Sequence, residues 1–276
     1  MSRAERIAEI PTGPVTVPPA VRTLAGDDVV TPVWRNVLGG LTFRLDPGQG
    51  REAGGTTRYV KWAPAGVPGL DLAAEAARLA WVGDRTPVPR VLDHGSDADG
   101  AWLVTQAVPG RSAVEARETG DPAGAATAIG RGLRALHEAL PVASCPFTWS
   151  VADRVANADA RLARGDGPAQ WFPEHRGIPV AEARARLDDA PAVDRLVVCH
   201  GDACVPNTLL HDDGSFAAHV DLGSLGVADR WADLAVAAWS TEWNYGPGYD
   251  GHVYAGYGVE PDPERIAYYR LLWDLS

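Results

Sequence analysis

Apolar residues in the first hundred positions fall mostly in short runs, a spacing that predicts strands rather than long helices. Residues 59–62 read Tyr-Val-Lys-Trp, and their alternation predicts a strand with Lys61 on the face opposite its two neighbours. Residues 101–108, AWLVTQAV, predict a further strand, whereas the alanine-rich residues 71–82 predict a helix with one apolar stripe. The proline-rich residues 1–25 are expected to be partly irregular.

Helical spacing dominates the later part of the chain. A helix over residues 121–140 is predicted to begin at an Asp-Pro pair, because Asp is a good N-cap and Pro fits the first turn. The same pair at 262–263 predicts a final helix. Residues 227–243 also predict a helix, and the Gly- and Tyr-rich residues 245–258 predict a loop.

One segment carries three oxygen-bearing side chains at the ends of apolar runs. Residues 200–223 read HGDACVPNTLLHDDGSFAAHVDLG, and the apolar run 196–199 before them predicts a buried strand. An Asp-Asp-Gly turn divides the segment into two strand-like pieces of a hairpin. Asp202, Asn207 and Asp221 therefore stand at strand ends.

Two carboxylates and a carboxamide in this arrangement suit phosphoryl transfer. That reaction needs an oriented hydroxyl, a base beside it and Mg²⁺ on the phosphates. Asp202 would accept the hydroxyl proton, while Asn207 and Asp221 would bind Mg²⁺, which prefers hard oxygen ligands. A chance cluster of polar residues is the alternative, and three such residues at this spacing make it the weaker one.

The charge balance narrows the choice of partners. The 276 residues carry 36 acids and 25 bases, a net charge of −11, which disfavours a nucleic-acid partner. An acidic surface attracts polycationic small molecules, although it equally serves solubility. No apolar run reaches the roughly 18 residues of a membrane span and the first residues lack a signal-peptide core, so we expect a cytoplasmic protein. Nothing in the sequence implies a protein partner.

Cysteine usage indicates a reducing compartment. The three cysteines, Cys145, Cys199 and Cys204, form an odd set, which disfavours a disulfide framework. A zinc site with His200 and His211 is the alternative, but the sequence has no C-x-x-C pair and Cys199 lies in an apolar run where a buried free thiol is common.

The pattern H-G-D-x-x-x-x-N followed by D-x-G resembles the aminoglycoside O-phosphotransferase family, which is related to the protein kinases. Residues 198–207 and 226–230 extend the resemblance, as does the Leu-His of 136–137 followed by Cys-Pro-Phe at 145–147. The resemblance implies an α+β, two-lobed protein-kinase-like fold. Its N-lobe would be an antiparallel sheet with one helix, and its C-lobe would be mainly helical.

The same resemblance implies a division of the chain and a set of roles. The domain of residues 1–107 would bind nucleotide, and that of 108–276 would carry catalysis and the acceptor. Lys61 would bind the α- and β-phosphates of ATP or GTP, and Glu75 would hold the lysine by an ion pair. Asp233 matches a position that braces the loop around the catalytic Asp by hydrogen bonds.

Nucleobase recognition by backbone groups is also implied by the resemblance. Tyr59 matches an aromatic residue that stacks on the base. Thr105 would accept from the adenine edge through its carbonyl oxygen, and Ala107 would donate its N–H. The glycine pair Gly39-Gly40 predicts a hairpin turn or, less simply, a loop whose backbone covers phosphates.

On the acceptor side, Asp274, Glu174 and the terminal carboxylate of Ser276 match positions that bind substrate amines, although Glu174 could equally be a plain surface carboxylate. In kanamycin kinases the final helix ends in two acids; Asp274 matches the second of them, and Trp273 replaces the first. The implied reaction is transfer of the γ-phosphate to an aminoglycoside hydroxyl, of 3′ type in preference to 3″ type, which confers antibiotic resistance. The alternatives are a kinase for another small hydroxyl compound and a nucleotide-binding pseudokinase.

Overall fold

Antiparallel strands form the first part of the chain. In the computed structural model, which describes residues 8–36, 38–48 and 56–276, these strands make a six-stranded sheet in the order β1-β2-β3-β4-β6-β5. The strands are β1 (Ala8–Glu9), β2 (Val29–Asn36), β3 (Leu41–Asp46), β4 (Arg58–Pro64), β5 (Val91–Ser96) and β6 (Gly100–Gln106).

The chain divides into two compact units. The first comprises the described residues up to Gly83 together with Val88–Val108, and the second comprises Asp84–Pro87 and Pro109–Ser276. The division after Val108 lies one residue beyond the expected one. Within the part of the chain that the structure describes, no helix is long and apolar enough to cross a membrane.

The first unit contains two helices among its described residues, not the single one expected. Helix α2 (Leu72–Val82) starts at Asp71, whose side chain accepts the N–H of Ala74 and so caps it. Helix α1 (Pro19–Ala25) lies in the stretch expected to be irregular. Pro19 suits a first helical turn, and Val21 and Ala25, four residues apart, are buried with core residues of the sheet, Phe43, Leu45, Val60 and Val104.

The second unit is mainly helical and contains short strand pairs. Its helices are α3 (Ala116–Thr119), α4 (Pro122–Ala139), α5 (Val151–Ala163), α6 (Val180–Arg186), α7 (Trp231–Asn244), α8 (Asp250–Tyr257) and α9 (Pro263–Leu275). Its strands are β7 (Arg111–Ser112), β8 (Leu196–Cys199), β9 (Thr208–Leu210), β10 (Phe216–His219) and β11 (Gly226–Asp229).

The two Asp-Pro helix starts are confirmed. The side chain of Asp121 accepts the N–H of Gly124, and that of Asp262 accepts the N–H groups of Glu264 and Arg265. Each carboxylate therefore satisfies backbone donors that the first helical turn leaves without partners.

Two sequence expectations in this unit are wrong. The start of the segment predicted as one helix over 227–243 is instead strand β11, which pairs with β8 through Val227 and Val198. The segment predicted as a loop contains helix α8, and Gly256 of this helix meets α4 at a site where a Cβ would overlap the backbone carbonyl of Thr127. Its glycine therefore serves close helix packing rather than a turn.

Candidate active site

Strand β8 leads directly into the Asp202 loop, residues 200–207. The loop begins with the buried His200, whose Nε2 lies 3.0 Å from the carbonyl oxygen of Val220 on the returning hairpin. It ends in a short 3₁₀ turn, Val205–Asn207, which passes into strand β9. The predicted strand–loop–hairpin order is therefore confirmed, and it brings the start of the loop against the end of β10.

The carboxylate of Asp202 is held on both of its oxygens. The Cys204 thiol donates to Oδ1 across 3.2 Å, and the amide nitrogen of Asn207 donates to Oδ2 across 3.2 Å. The same amide nitrogen donates to the backbone oxygen of Asp202 at 2.9 Å. Asn207 thus uses its nitrogen to shape the loop, which leaves its side-chain oxygen as the atom that could ligate a metal ion.

Asp221 follows the hairpin in a backbone conformation that ordinary residues avoid. Its φ of 65° makes it the sole non-glycine residue with positive φ in the described ranges. Such conformations persist where the surrounding structure enforces them, often at functional sites. The side chain is exposed, and its charge acts on Asp202.

The carboxylates of Asp202 and Asp221 carry charge of the same sign and repel each other. Burial raises the pKa of Asp202 and the nearby charge of Asp221 raises it further, while Cys204, His200 and Asn207 work in the opposite direction. Two neighbouring carboxylates with a carboxamide oxygen form a set of hard oxygen donors that a divalent cation would neutralise. The chemistry of these residues therefore fits Mg²⁺, and the assignment of Asn207 and Asp221 as its ligands stays a prediction.

Asp233 braces the loop from helix α7, as predicted. The N–H of His200 donates to Asp233 Oδ2 at 2.6 Å, and that of Gly201 donates to Oδ1 at 2.9 Å. The Nε2 atom of His137 lies 2.9 Å from the same Oδ2, and its Nδ1 lies 2.9 Å from the Tyr257 hydroxyl. Burial acts to raise the pKa of Asp233. The hydrogen bond with His137 and the backbone donors outweigh this effect, so the pKa of Asp233 lies below its ordinary value.

Gly201 is required at its position in the loop. Its φ of 87° lies in the left-handed region, and a Cβ would overlap the backbone carbonyl of Ser224. The motif glycine therefore allows close approach between the loop and the segment after Asp221.

In the first unit, Lys61 and Glu75 form the predicted ion pair. The Nζ of Lys61 on β4 lies 2.7 Å from Oε1 of Glu75 on α2, and the glutamate side chain is only 6% exposed. Tyr59 precedes Lys61 by two residues on the same face of β4, and it pairs in register with Thr105 on β6. Tyr59, Lys61 and Thr105 thus share one face of the sheet.

One predicted nucleobase contact is wrong. The N–H of Ala107 donates to the carbonyl oxygen of Thr57 at 3.0 Å, because the pairing of the strands continues one residue past β6. Thr105 sits in register with Tyr59 on one side and Val91 on the other. Its contact with the base stays a prediction.

Two predicted acceptor contacts also need correction. Asp274 is fully buried, and its Oδ2 accepts the N–H of Phe172 at 2.9 Å and meets Nδ1 of His175 at 2.7 Å. Two arginines donate hydrogen bonds to Ser276. Arg154 donates to its hydroxyl at 3.2 Å, and Arg161 donates to its carbonyl oxygen at 2.6 Å. These groups hold the segment before α6 and the end of α9 rather than facing an incoming amine.

Glu174, the third predicted acceptor residue, is exposed and has a neighbour that the sequence did not single out. Arg270 lies 3.9 Å from Glu174 and 3.4 Å from Glu242. Burial raises the pKa of Glu242, Arg270 works against the rise, and the charges of Asp250 and Glu174 add to it. The sequence offered no signal for Glu242, since an acidic residue at the end of a helix is common.

Aromatic rings adjoin these acids. Phe172 stacks on Trp243 with ring centroids 4.4 Å apart, and Trp243 lies 5.5 Å from Trp273. Both tryptophans are partly exposed. We call Glu174, Glu242, Trp243 and Trp273 the acidic–aromatic surface.

Comparison with known proteins agrees with this geometry. The profile described as the phosphotransferase enzyme family (APH) matches residues 41–269. Streptomycin 3″-kinase of Streptomyces griseus is 39% identical over 96% of this chain and 97% of its own, and an aminoglycoside 3′-phosphotransferase of Streptomyces fradiae is 40% identical over 78% and 84%. The chain belongs to the aminoglycoside phosphotransferase family.

Solved structures of aminoglycoside phosphotransferases confirm the kinase-like α+β fold. APH(3″)-Id from Streptomyces rimosus, in complex with ADP and streptomycin, superposes with a TM-score of 0.72 at 33% identity, covering 92% of this chain and 95% of that one. A type VIII aminoglycoside-3′-phosphotransferase gives 0.78 at 32% identity, covering 93% and 97%. Like other aminoglycoside phosphotransferases, this chain is a kinase that transfers phosphate from a nucleoside triphosphate to an alcohol.

Proposed function

We propose that this enzyme transfers the γ-phosphate of ATP or GTP to a hydroxyl of an aminoglycoside antibiotic, and that Asp202 orients this hydroxyl and accepts its proton. The observation that carries the proposal is the carboxylate of Asp202, which is half-buried and held on both oxygens. A carboxylate fixed in this way presents its remaining lone pairs in one direction, as a general base must.

The reaction forms one bond and breaks one. The acceptor oxygen attacks the γ-phosphorus, the bond from that phosphorus to the bridging oxygen breaks, and the nucleoside diphosphate leaves. The acceptor proton passes to Asp202. Lys61, oriented by Glu75, would neutralise charge on the α- and β-phosphates, and Tyr59 would stack on the base.

A magnesium ion would be held by Asn207 through its side-chain oxygen and by Asp221. When bound it supplies positive charge against the phosphate oxygens. The mutual repulsion of Asp202 and Asp221 supports this assignment, because a cation beside Asp221 lowers the electrostatic cost of keeping Asp202 ionised.

For the acceptor we propose a streptomycin-type compound modified at a 3″ hydroxyl, which departs from the 3′ preference drawn from the sequence. The streptomycin 3″-kinase resembles this chain over 96% of its length, against 78% for the 3′ relative of similar identity. The acidic–aromatic surface also supports this choice. Streptomycin carries guanidinium groups, which pair with carboxylates and stack on indole rings.

The second candidate is a 3′ hydroxyl of a kanamycin- or neomycin-type compound. The 40% identity to the Streptomyces fradiae enzyme favours it. The ammonium groups of these compounds would use Glu174 and Glu242 but gain less from Trp243 and Trp273, because a compact hydrated ammonium does not stack as a planar guanidinium does.

An acceptor panel tests the proposal. Purified enzyme with ATP or GTP and Mg²⁺ is offered streptomycin, kanamycin and neomycin, nucleoside diphosphate release is followed, and products are mapped by ³¹P and ¹H NMR. We expect phosphate on the 3″ hydroxyl of streptomycin, and an increase in streptomycin resistance when the enzyme is expressed in a susceptible bacterium. Asp202→Asn should retain its fold and lose roughly 10²–10⁴ in kcat. An active Asp202→Asn enzyme would refute the role given to Asp202.

A further inference from the structure

We infer that the thiol of Cys204 is a positioning residue for phosphate transfer: it donates a hydrogen bond to Asp202 Oδ1 and, together with Asn207, fixes the plane of that carboxylate. This inference rests on the proposed role of Asp202 as the group that orients the acceptor hydroxyl.

The geometry gives each oxygen of Asp202 one donor from within the loop. Cys204 reaches Oδ1 and Asn207 reaches Oδ2, both at 3.2 Å. With only one of these donors the carboxylate could rotate about its Cβ–Cγ bond, a torsion that is broad for aspartate. With both, rotation breaks one hydrogen bond or the other. Asn207 alone therefore does not set the direction of the lone pairs.

Residues of helix α7 hold the backbone next to Cys204. The Ser240 hydroxyl accepts the N–H of Val205 at 3.0 Å and lies beside the Cys204 sulfur. Asn244, one helical turn later, donates to the Ser240 carbonyl at 2.8 Å and to its hydroxyl at 3.2 Å. Helix α7 thus holds the start of the loop through Asp233 and also holds Val205, the residue after Cys204. These contacts fix the position of the backbone from which the Cys204 side chain extends.

The environment keeps the sulfur in its donating form. Cys204 is buried with its sulfur 3.2 Å from the Asp202 carboxylate, and a buried site beside a carboxylate disfavours the charged thiolate. A thiol that stays protonated is a weak donor, but a hydrogen bond to an ionised acceptor is stronger than one between neutral groups. The alternative is that Cys204 only fills space.

Three substitutions separate these roles. Cys204→Ser keeps a donor, Cys204→Val keeps the volume without a donor, and Cys204→Ala removes both. Cys145→Ala removes a thiol from outside the site, where the Cys145 sulfur donates to the carbonyl oxygen of Phe147 across 3.5 Å. Each variant is assayed for kcat and for the KM of ATP and streptomycin, with thermal unfolding measured alongside.

The slow hydrolysis of ATP, in which water replaces the antibiotic, is measured on the same variants. In the role proposed for Asp202, its carboxylate orients this water as it would orient the antibiotic hydroxyl, and no antibiotic takes part in the reaction. A failure of the acceptor assignment therefore shows as loss of transfer to streptomycin in the wild type, while the Cys204 series can still be compared through hydrolysis.

We expect the Ala and Val variants to lose roughly fivefold to tenfold in kcat, as for loss of one hydrogen bond, with the KM of ATP unchanged. The Ser and Cys145→Ala variants should stay within about twofold of the wild type. Unchanged kcat in both the Ala and Val variants overturns the inference. Equal losses in Ser, Ala and Val, in step with lowered unfolding temperatures, also overturn it and assign Cys204 to packing.

Discussion

The carboxylate of Asp233 accepts the N–H of His200 across 2.6 Å, from a position 33 residues further along the chain. Both residues are fully buried, and the same carboxylate also accepts the N–H of Gly201. A charged side chain on a helix therefore takes the place of a strand partner where β8 ends and the Asp202 loop begins.

Asp233→Ala should destabilise the protein by about 3 kcal/mol and abolish most activity, because it leaves buried donors of His200, Gly201 and His137 without their acceptor. Urea unfolding followed by circular dichroism measures the change. Asp188→Ala, which removes a surface carboxylate paired with Arg184, should change stability by no more than about 0.5 kcal/mol. Equal effects from the two variants would contradict the buried role of Asp233.

Glu75→Gln should raise the KM for ATP roughly tenfold with little change in unfolding temperature, because the amide no longer gives Lys61 a charged partner at 2.7 Å. Steady-state kinetics with varied ATP measures it. Glu138→Gln makes the same change in an exposed helical ion pair with Arg134 and should leave the KM as it is. If both variants match the wild type, the pair does not orient the lysine for phosphate.

Gly201→Ala should give little folded protein, since the added methyl overlaps the carbonyl of Ser224 and the residue must keep φ near 87°. Gly214→Ala supplies the control. This glycine also has positive φ, at 79°, but its Cβ would meet open space, so only backbone strain of about 1 kcal/mol is added. Soluble yield and unfolding temperature compare the two. A Gly201→Ala protein as stable as Gly214→Ala would show that the loop can move away from Ser224.

Acid should weaken the fold through His219. Burial and the neighbouring His200 lower the pKa of His219 to about 3, so between there and about 6.5 the unfolded chain binds the proton that the folded protein excludes. The contribution of neutral His219 is complete above pH 6.5 and declines as the pH falls. At pH 5 the loss is about 2 kcal/mol.

The pH effect is measured as the difference in unfolding free energy between pH 7.5 and pH 5, without nucleotide or metal ion. His219→Leu should shrink this difference by about 2 kcal/mol. Phe216→Leu, which trims a ring packed 4.7 Å from that of His219, should lower stability equally at both pH values. An undiminished difference in the His219→Leu variant would exclude this histidine as the source.

Trp243→Ala should raise the KM for streptomycin roughly tenfold and leave that for ATP unchanged, because it removes one of the rings of the acidic–aromatic surface. Trp243→Phe retains an aromatic face and should recover part of the loss. Isothermal titration with streptomycin checks that the effect is on binding. A Trp243→Ala enzyme with wild-type streptomycin KM would place the acceptor elsewhere.

Local sequence determined the elements that rely on neighbouring residues. Asp121 and Asp262 cap the helices that follow them because a short carboxylate satisfies donors two or three residues ahead. The same holds for the alternation around Lys61 and for the order of strand, loop and hairpin about Asp202. By the same local logic Gly256 indicated a turn, but its meaning depended on helix α4, which lies over a hundred residues earlier in the chain.

Motif spacing determined which residues could do the chemistry, since Asp202, Asn207 and Asp221 stand at strand ends of one hairpin. Tertiary packing decided which polar groups were still available. Ala107 has its N–H taken by Thr57, Asp274 is buried against Phe172 and His175, and Glu242 comes beside Glu174 only through folding. A donor or acceptor that forms a hydrogen bond with a distant segment is no longer available to a ligand. The sequence alone does not show which distant groups meet in the folded protein.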